Sequence, residues 1–87
     1  MSYRYEDHRE WLFSDEGQRC ALRVLRKARS LFAQAGAFNG VKACTDLVTE
    51  GRMRALLDRL VELGEFTEIT DPGTPIQDRV FVLRGET

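Results

Sequence analysis

The sequence has few of the residues on which most catalytic and metal sites depend. His8 is the only histidine, and the two cysteines, Cys20 and Cys44, stand far apart, so neither a zinc-binding spacing nor a disulfide framework is visible. No glycine-rich phosphate loop follows a predicted strand, and His8 has no serine or cysteine partner in a catalytic pattern. We therefore expect no enzyme activity, no cofactor and no metal, and we expect both cysteines to be small core residues.

Long hydrophobic runs are also missing. No stretch approaches the ~18 to 20 apolar residues of a membrane span, and no basic region followed by an apolar run stands at the N-terminus. These absences predict a cytoplasmic protein without membrane contact. The 87 residues, 43% hydrophobic and 31% charged, suit one small globular domain. Because such a domain buries a limited core, a homodimer or another partner interface would add to its stability.

The formal net charge of −1 hides an uneven distribution of charge along the chain. Residues 17–45 carry six basic residues and no acidic one, whereas residues 46–71 carry three arginines against seven acids. A basic segment of this kind suits nucleic acid or an acidic protein surface. The alternative is that these basic residues form only the solvent-exposed face of an amphipathic helix.

Helical periodicity is clearest in residues 14–38, which predict an amphipathic helix of about twenty residues. Ser14 is a suitable N-cap, and Gly36 supplies a left-handed stop. The apolar arc of this helix consists of Ala21, Val24, Leu25, Ala28, Leu31, Phe32 and Ala35. The basic stripe on its other face consists of Arg19, Arg23, Arg26, Lys27 and Arg29.

The apolar pattern of residues 38–64 breaks phase near its middle and predicts two helices. We expect a short helix at 40–48, a tight turn at 49–51, and a third helix at 52–63 that Thr49 caps and Gly64 ends. After Gly64 the pattern changes to two strands joined by a Pro and Gly turn at 71–78, an antiparallel hairpin. The predicted core of this part of the chain consists of Leu56, Leu57, Leu60, Val61, Phe66 and Ile69.

The N-terminal segment is the most aromatic part of the chain. Residues 1–13 predict an arm packed across the domain or a short helix at about 6–12. We expect the domain itself over residues 14–84, and a tail at 85–87. Four apolar side chains are candidates for a partner interface, namely Tyr3, Tyr5, Trp11 and Leu22, although Trp11 also fits an extension of the core.

The order of elements, with RMRALLDRLVELGEFTEITDPG followed by DRVFVL, resembles the winged helix-turn-helix fold. That fold is α+β and mostly α, with three helices plus a C-terminal two-stranded β-hairpin wing. The resemblance covers about residues 17–84 and concerns the fold, not one subfamily. In size the chain is also similar to small phage- or prophage-encoded accessory proteins.

The resemblance implies a transcription-regulatory protein that binds double-stranded DNA. The third helix would lie in the major groove, and the basic first helix or the wing base would contact phosphates. The residues that this role implies are Lys42, Thr49, Arg52, Arg54, Arg59 and Arg79, with Arg19, Arg23 and Arg26 of the first helix.

The charges of the third helix and of the wing favour an alternative function. Arg54 lies four residues before Asp58, and Arg59 lies three before Glu62, so acids of the same helix can pair with these bases. The wing tip carries no lysine or arginine. The alternative is a protein–protein interaction module without direct DNA contact, either a dimer or a subunit of a larger assembly.

Overall fold

The computed structural model describes residues 3–44 and 49–83, which form an α+β, mostly helical domain with a small three-stranded antiparallel sheet. A 3₁₀ turn at Tyr5–His8 precedes the elements α1 (Arg9–Phe13), α2 (Asp15–Ala35), β1 (Phe38–Asn39), α3 (Gly40–Ala43), α4 (Glu50–Glu62), β2 (Phe66–Glu68) and β3 (Val80–Leu83). A second 3₁₀ turn at Ile76–Asp78 lies between β2 and β3. Within the described ranges, no helix combines the length and the apolar character that a membrane crossing needs.

The predicted capping residues of the two longest helices are confirmed, whereas the tight turn predicted at 49–51 is wrong, because α4 already begins at Glu50. Ser14 Oγ accepts the Gly17 N–H at 3.1 Å and begins α2, and Gly36, with a φ of 80°, ends it. Thr49 Oγ1 accepts the Arg52 N–H at 3.3 Å and begins α4. Gly64, with a φ of 82°, follows its C-terminal end. Local capping chemistry therefore fixes where both helices lie along the chain.

The short helix is confirmed only for its first turn. Asn39 Oδ1 accepts the backbone N–H groups of Val41 and Lys42, and this cap begins α3. Cys44 already has an extended backbone, with ψ at 149°. The rest of the predicted helix, residues 45–48, lies outside the described residues.

The predicted antiparallel pairing of the two C-terminal strands is confirmed, but the sheet also has a third strand, β1, that the sequence did not predict. β3 pairs with β2 on one side and with β1 on the other, where Phe38 lies opposite Phe81. β1 is only two residues long, too short for any periodicity in the sequence to reveal it. Its pairing places Phe38 beside the aromatic rings of the sheet.

The core lies between α2, α4 and the inner face of this sheet. The rings of Phe38, Phe66 and Phe81 pack together, with centroids 5.1 to 6.1 Å apart. Buried aliphatic side chains of the helices complete it, among them Val24, Ala28, Leu56, Leu57 and Leu60. Cys20 and Cys44 are buried free cysteines, which confirms their predicted place, and burial raises the pKa of the Cys44 thiol to about 12.

Ile69 was predicted in the core, and this prediction is wrong. Its side chain is 57% exposed, whereas Phe66 is 1% exposed. Residues three apart on an extended chain point to opposite sides, so the burial of Phe66 turns Ile69 outward. Val61 is half-buried and packs against the edge of the core.

Candidate functional site

The outward face of α4 is partly covered by the N-terminal arm, which we define as residues 3–13. Tyr3 Oη donates to Asp58 Oδ2 at 3.0 Å, and Tyr5 Oη donates to Glu62 Oε1 at 3.2 Å. Burial, followed by the negative charge of Asp58, raises the pKa of the Tyr3 phenol. Burial and the hydrogen bond to Glu62 raise the pKa of the Tyr5 phenol. The arm is therefore both the packed segment and, in part, the short helix that the sequence predicts.

The three arginines of α4 lie against aromatic rings of the same arm. From the guanidinium carbon to the ring centroid, the distances are 4.5 Å for Arg52 on Trp11, 5.8 Å for Arg54 on Tyr3 and 4.8 Å for Arg59 on Phe13. Such cation–π contacts hold the planar guanidinium groups against the arm. The side chains predicted to contact DNA bases thus contact the protein's own N-terminal residues.

Two glycines allow the arm to approach the helices closely. A Cβ at Gly51 of α4 would lie 2.9 Å from His8 Cε1, and a Cβ at Gly17 of α2 would lie 2.9 Å from the Cα atom of Leu12. The Leu12 side chain is 5% exposed and belongs to the core. The arm is therefore seated by backbone contact and by a buried anchor, as well as by its aromatic rings.

Acids also pair with the arginines of α4. Arg59 Nη1 lies 2.8 Å from Glu62 Oε1, which confirms the predicted pair and lowers the pKa of Glu62. The predicted pair of Arg54 with Asp58 is wrong, because Arg54 Nη2 pairs instead with Glu50, at 3.3 Å. Asp58 instead accepts hydrogen bonds from Tyr3 and Arg79.

Arg52 has an acidic partner as well, on a different helix. Its Nη1 atom lies 3.6 Å from Glu16 Oε2, in the first turn of α2. The positive charges of α4 are thus balanced by nearby acids, in addition to their contacts with aromatic rings.

Arg79, predicted as a phosphate contact at the wing base, lies in a network of acids. Its guanidinium donates to Asp58 Oδ1 at 3.0 Å and to both Glu68 oxygens at 2.8 and 2.9 Å, and its side chain is only 14% exposed. These hydrogen bonds raise the pKa of Arg79 and lower that of Glu68. The network joins β2, α4 and the residue before β3. Through the hydrogen bond from Tyr3 to Asp58, it also holds the arm.

The two remaining residues outside α2 that were predicted to contact DNA, Thr49 and Lys42, lie at different helices. Thr49 caps α4, so its hydroxyl oxygen already accepts a backbone N–H. Lys42 is exposed on α3, where it lines a small depression with Leu31 and Gln34 from the C-terminal part of α2. Lys42 therefore lies near the C-terminal end of α2.

The basic stripe of α2 differs from the other predicted contacts. Arg19, Arg23, Arg26, Lys27 and Arg29 are all exposed. Within residues 3–44 and 49–83, none of the five forms an ion pair. The acids of the arm do not neutralise them. The structure thus divides the predicted basic residues into a paired set on α4 and at Arg79, and an open set on α2.

An apolar groove lies beside this stripe, between α1, α2 and α4. We call it the α2–α4 groove. It is lined by Leu12, Phe13, Gln18, Ala21, Leu22, Leu25, Arg59, Leu60, Leu63 and Glu65. Of the four exposed large hydrophobic side chains among the described residues, Phe13, Leu22 and Leu63 belong to it, at 52%, 60% and 56% exposure. Leu22 was predicted as a partner contact, whereas Leu63 was missed, because its position at the helix end gives no sign that it lines the same groove as Leu22.

No cluster of three histidine, cysteine, aspartate or glutamate side chains that could hold a metal occurs in the described part of the chain. Comparisons with protein-family models, with curated proteins and with solved structures gave no match to this chain.

Proposed function

We propose that this protein is a small winged-helix domain that works as a protein–protein interaction module, alone or as a subunit of a larger assembly. The order of elements supports the fold: α2, α3 and α4 are followed by the antiparallel pair β2 and β3. The charges and contacts on the surface support the function.

The observation that carries the proposal is the occupied face of α4. A winged helix that reads DNA inserts its third helix into the major groove, so the outward face of that helix must be free. Here Tyr3, Tyr5 and Trp11 lie on that face. The arginines beneath them are paired with acids, and the groove beside α2 offers open apolar surface instead.

Duplex DNA binding with a regulatory role is the second candidate, and α2 is the feature that favours it. Five exposed basic residues without ion pairs in the described ranges can release counterions from a phosphate backbone. In this case α2 would contact phosphates. Arg52 and Arg54 would reach bases only after the arm has left α4.

One pair of experiments separates the two candidates. Tagged full-length protein is purified from a native extract of its source, the bound proteins are identified by mass spectrometry, and the complex is sized by light scattering. In parallel, a fluorescent mixed-sequence duplex of about 30 base pairs is titrated at low and rising salt. We expect a protein partner of defined stoichiometry and no duplex binding.

Salt-dependent duplex binding without a protein partner would contradict the proposal. Under the DNA reading, Arg52→Glu with Arg54→Glu abolishes sequence-specific binding, while Arg23→Glu with Arg26→Glu weakens binding to all sequences equally. Trp11 is the only tryptophan of the chain, so its fluorescence would also change as DNA displaces the arm.

A further inference from the structure

We infer that the α2–α4 groove binds an amphipathic helix of a partner protein that carries acidic residues beside its apolar stripe. This inference rests on the proposed interaction function and specifies its surface and its partner. The apolar character, the shape and the bordering charge of the groove each support it.

The groove is apolar because several large apolar side chains cluster around it. Phe13, Leu22 and Leu63 form its exposed rim, and Leu25 and Leu60 lie deeper. Single exposed leucines are ordinary on small proteins, but three large apolar side chains around one concave surface are typical of a binding groove. By contrast, the fourth exposed side chain of this kind, Ile69, does not line the groove.

The shape of the groove suits a helix. On α2 the lining extends from Gln18 to Leu25, roughly two helical turns. The rim contributes side chains from α1, α2 and the end of α4. Helices that bind such grooves insert apolar side chains spaced at i, i+3 or i+4, and i+7, which reach across two turns.

The charge beside the groove selects an acidic partner. Arg19 and Arg26 lie three residues before and four residues after Leu22, so they lie on the same side of α2 as this rim residue. Both are exposed and without an ion pair in the described ranges. Within the lining itself, Arg59 is paired with Glu62, and Glu65 contributes one acid. Acidic residues flanking the partner's apolar stripe would meet the two open arginines.

The same charges disfavour a second copy of this chain as the occupant. A two-fold dimer through this face would place the same surface patch on both sides of the contact. Both halves of that contact would then carry the same arginines, Arg19, Arg26 and Arg29, which form no ion pair within the described ranges, and the groove lining there supplies only one acid, Glu65, to each half. Like charges at such a contact are repulsive.

The test uses full-length ¹⁵N-labelled protein and two synthetic amphipathic peptides of about 18 residues. Both peptides carry leucines at helical spacing, and they differ only in having glutamates or lysines as flanking residues. We expect the glutamate peptide to shift the amide signals of Ala21, Leu22, Leu25 and Leu63, with an affinity that falls as salt rises. We expect the lysine peptide to bind at least about tenfold more weakly.

Matched variants identify the groove as the site. Leu22→Asp is expected to weaken binding of the glutamate peptide at least about tenfold. Ile69→Asp is the control, because Ile69 is a similarly exposed aliphatic side chain outside the groove, and it is expected to leave the affinity unchanged. Arg26→Glu is expected to weaken binding, and Lys42→Glu, which makes the same change in net charge on α3, to leave it nearly unchanged. Because all four side chains are exposed, the variants are expected to keep the amide spectrum of the folded protein.

Several results would overturn the inference. These are no binding of the glutamate peptide, equal binding of both peptides, signal changes outside the groove, groove signals that shift with the concentration of the protein alone, or the same signals shifted by duplex DNA. If Leu22→Asp still captures the cellular partner as well as the wild type does, the groove assignment fails while the interaction function stands. If no partner is captured and DNA is bound, both fail.

Discussion

Replacing Arg79 with methionine is expected to destabilise the fold through the two carboxylates that it leaves behind. The guanidinium donates to Asp58 and to both oxygens of Glu68, within 3.0 Å of each. Methionine keeps much of the aliphatic stem but removes every donor. Tyr3 and Thr70 would still donate to the two acids, but no positive charge would remain between them.

The size of the loss follows from the exposure of the three side chains. Breaking a fully buried pair costs about 3 to 5 kcal/mol. Arg79 is 14% exposed, but Asp58 and Glu68 are 35% and 20% exposed, so water partly screens the two acids. We therefore expect a loss of about 2 kcal/mol in the free energy of unfolding, which lowers the melting temperature of a domain this size by about 8 to 16 °C.

The measurement is urea unfolding of the wild type and Arg79→Met at pH 7, followed by far-ultraviolet circular dichroism. Arg23→Met is the control, because Arg23 is exposed on α2 and has no ion pair within the described ranges. Removing its charge is expected to change the free energy of unfolding by no more than about 0.5 kcal/mol.

The pH dependence supplies a second check. The pKa of Glu68 is lowered in the folded state, so the stability that its ion pair contributes is present above the unfolded pKa of about 4.3 and is lost as the pH falls through the lower folded value. The difference between wild type and Arg79→Met should therefore shrink below about pH 4. A loss no larger than that of Arg23→Met, or a difference that stays constant down to pH 3, would refute the reasoning.

Two further predictions concern the core and the arm. Gly40→Ala should reduce the free energy of unfolding by about 1 to 3 kcal/mol, because its Cβ would lie 2.5 Å from Phe81 Cε1 and 2.8 Å from Leu57 Cδ1; an unchanged urea midpoint would contradict this contact. The only tyrosines, Tyr3 and Tyr5, lie in the arm, and their pKa values are raised in the folded state. The folding stability that their neutral phenols contribute is therefore complete below the unfolded pKa of about 10 and is lost as the pH rises from there through the folded values. Near-ultraviolet titration should place phenolate formation higher in native than in urea-unfolded protein, and coincident curves would be the adverse result.

The parts of the fold that the sequence predicted correctly depend on local chemistry. Ser14 and Thr49 cap helices through hydrogen bonds to N–H groups three residues on, and Gly36 ends α2 through its own backbone conformation. Each of these signals acts over a single turn. The apolar side chains of α4 likewise follow one helical period, and Leu56, Leu57 and Leu60 are buried as predicted.

The errors that change the site most arise where distant residues meet. The pairing of β1 with β3 and the seating of the arm on α4 join residues about half the chain apart or more, and no local pattern encodes such contacts. The arm changed the interpretation of the site most. The sequence showed which bases α4 carries, but not that Tyr3 holds Asp58, or that Arg79 takes the place beside Asp58 that was predicted for Arg54.

The seating of the arm also sets a free-energy requirement for any DNA-binding role of α4. Freeing this face would break three cation–π contacts, each worth about 0.5 kcal/mol at exposed sites, and the hydrogen bond from Tyr3 to Asp58, worth about 1 kcal/mol. Displacing the arm would therefore cost at least about 2 kcal/mol, even when the exposure of the buried Leu12 side chain is not counted. A cost of this size would weaken the apparent affinity for DNA about 30-fold.

The α2–α4 groove and the basic stripe carry no such requirement. The rim of the groove and the side chains of the stripe are exposed while the arm lies on α4, so a partner can contact Leu22 and Arg26 without breaking any of the contacts on α4. A ligand gains affinity when the surface that it needs is already available. For this reason the surface of α2, rather than that of α4, is where binding should be sought first.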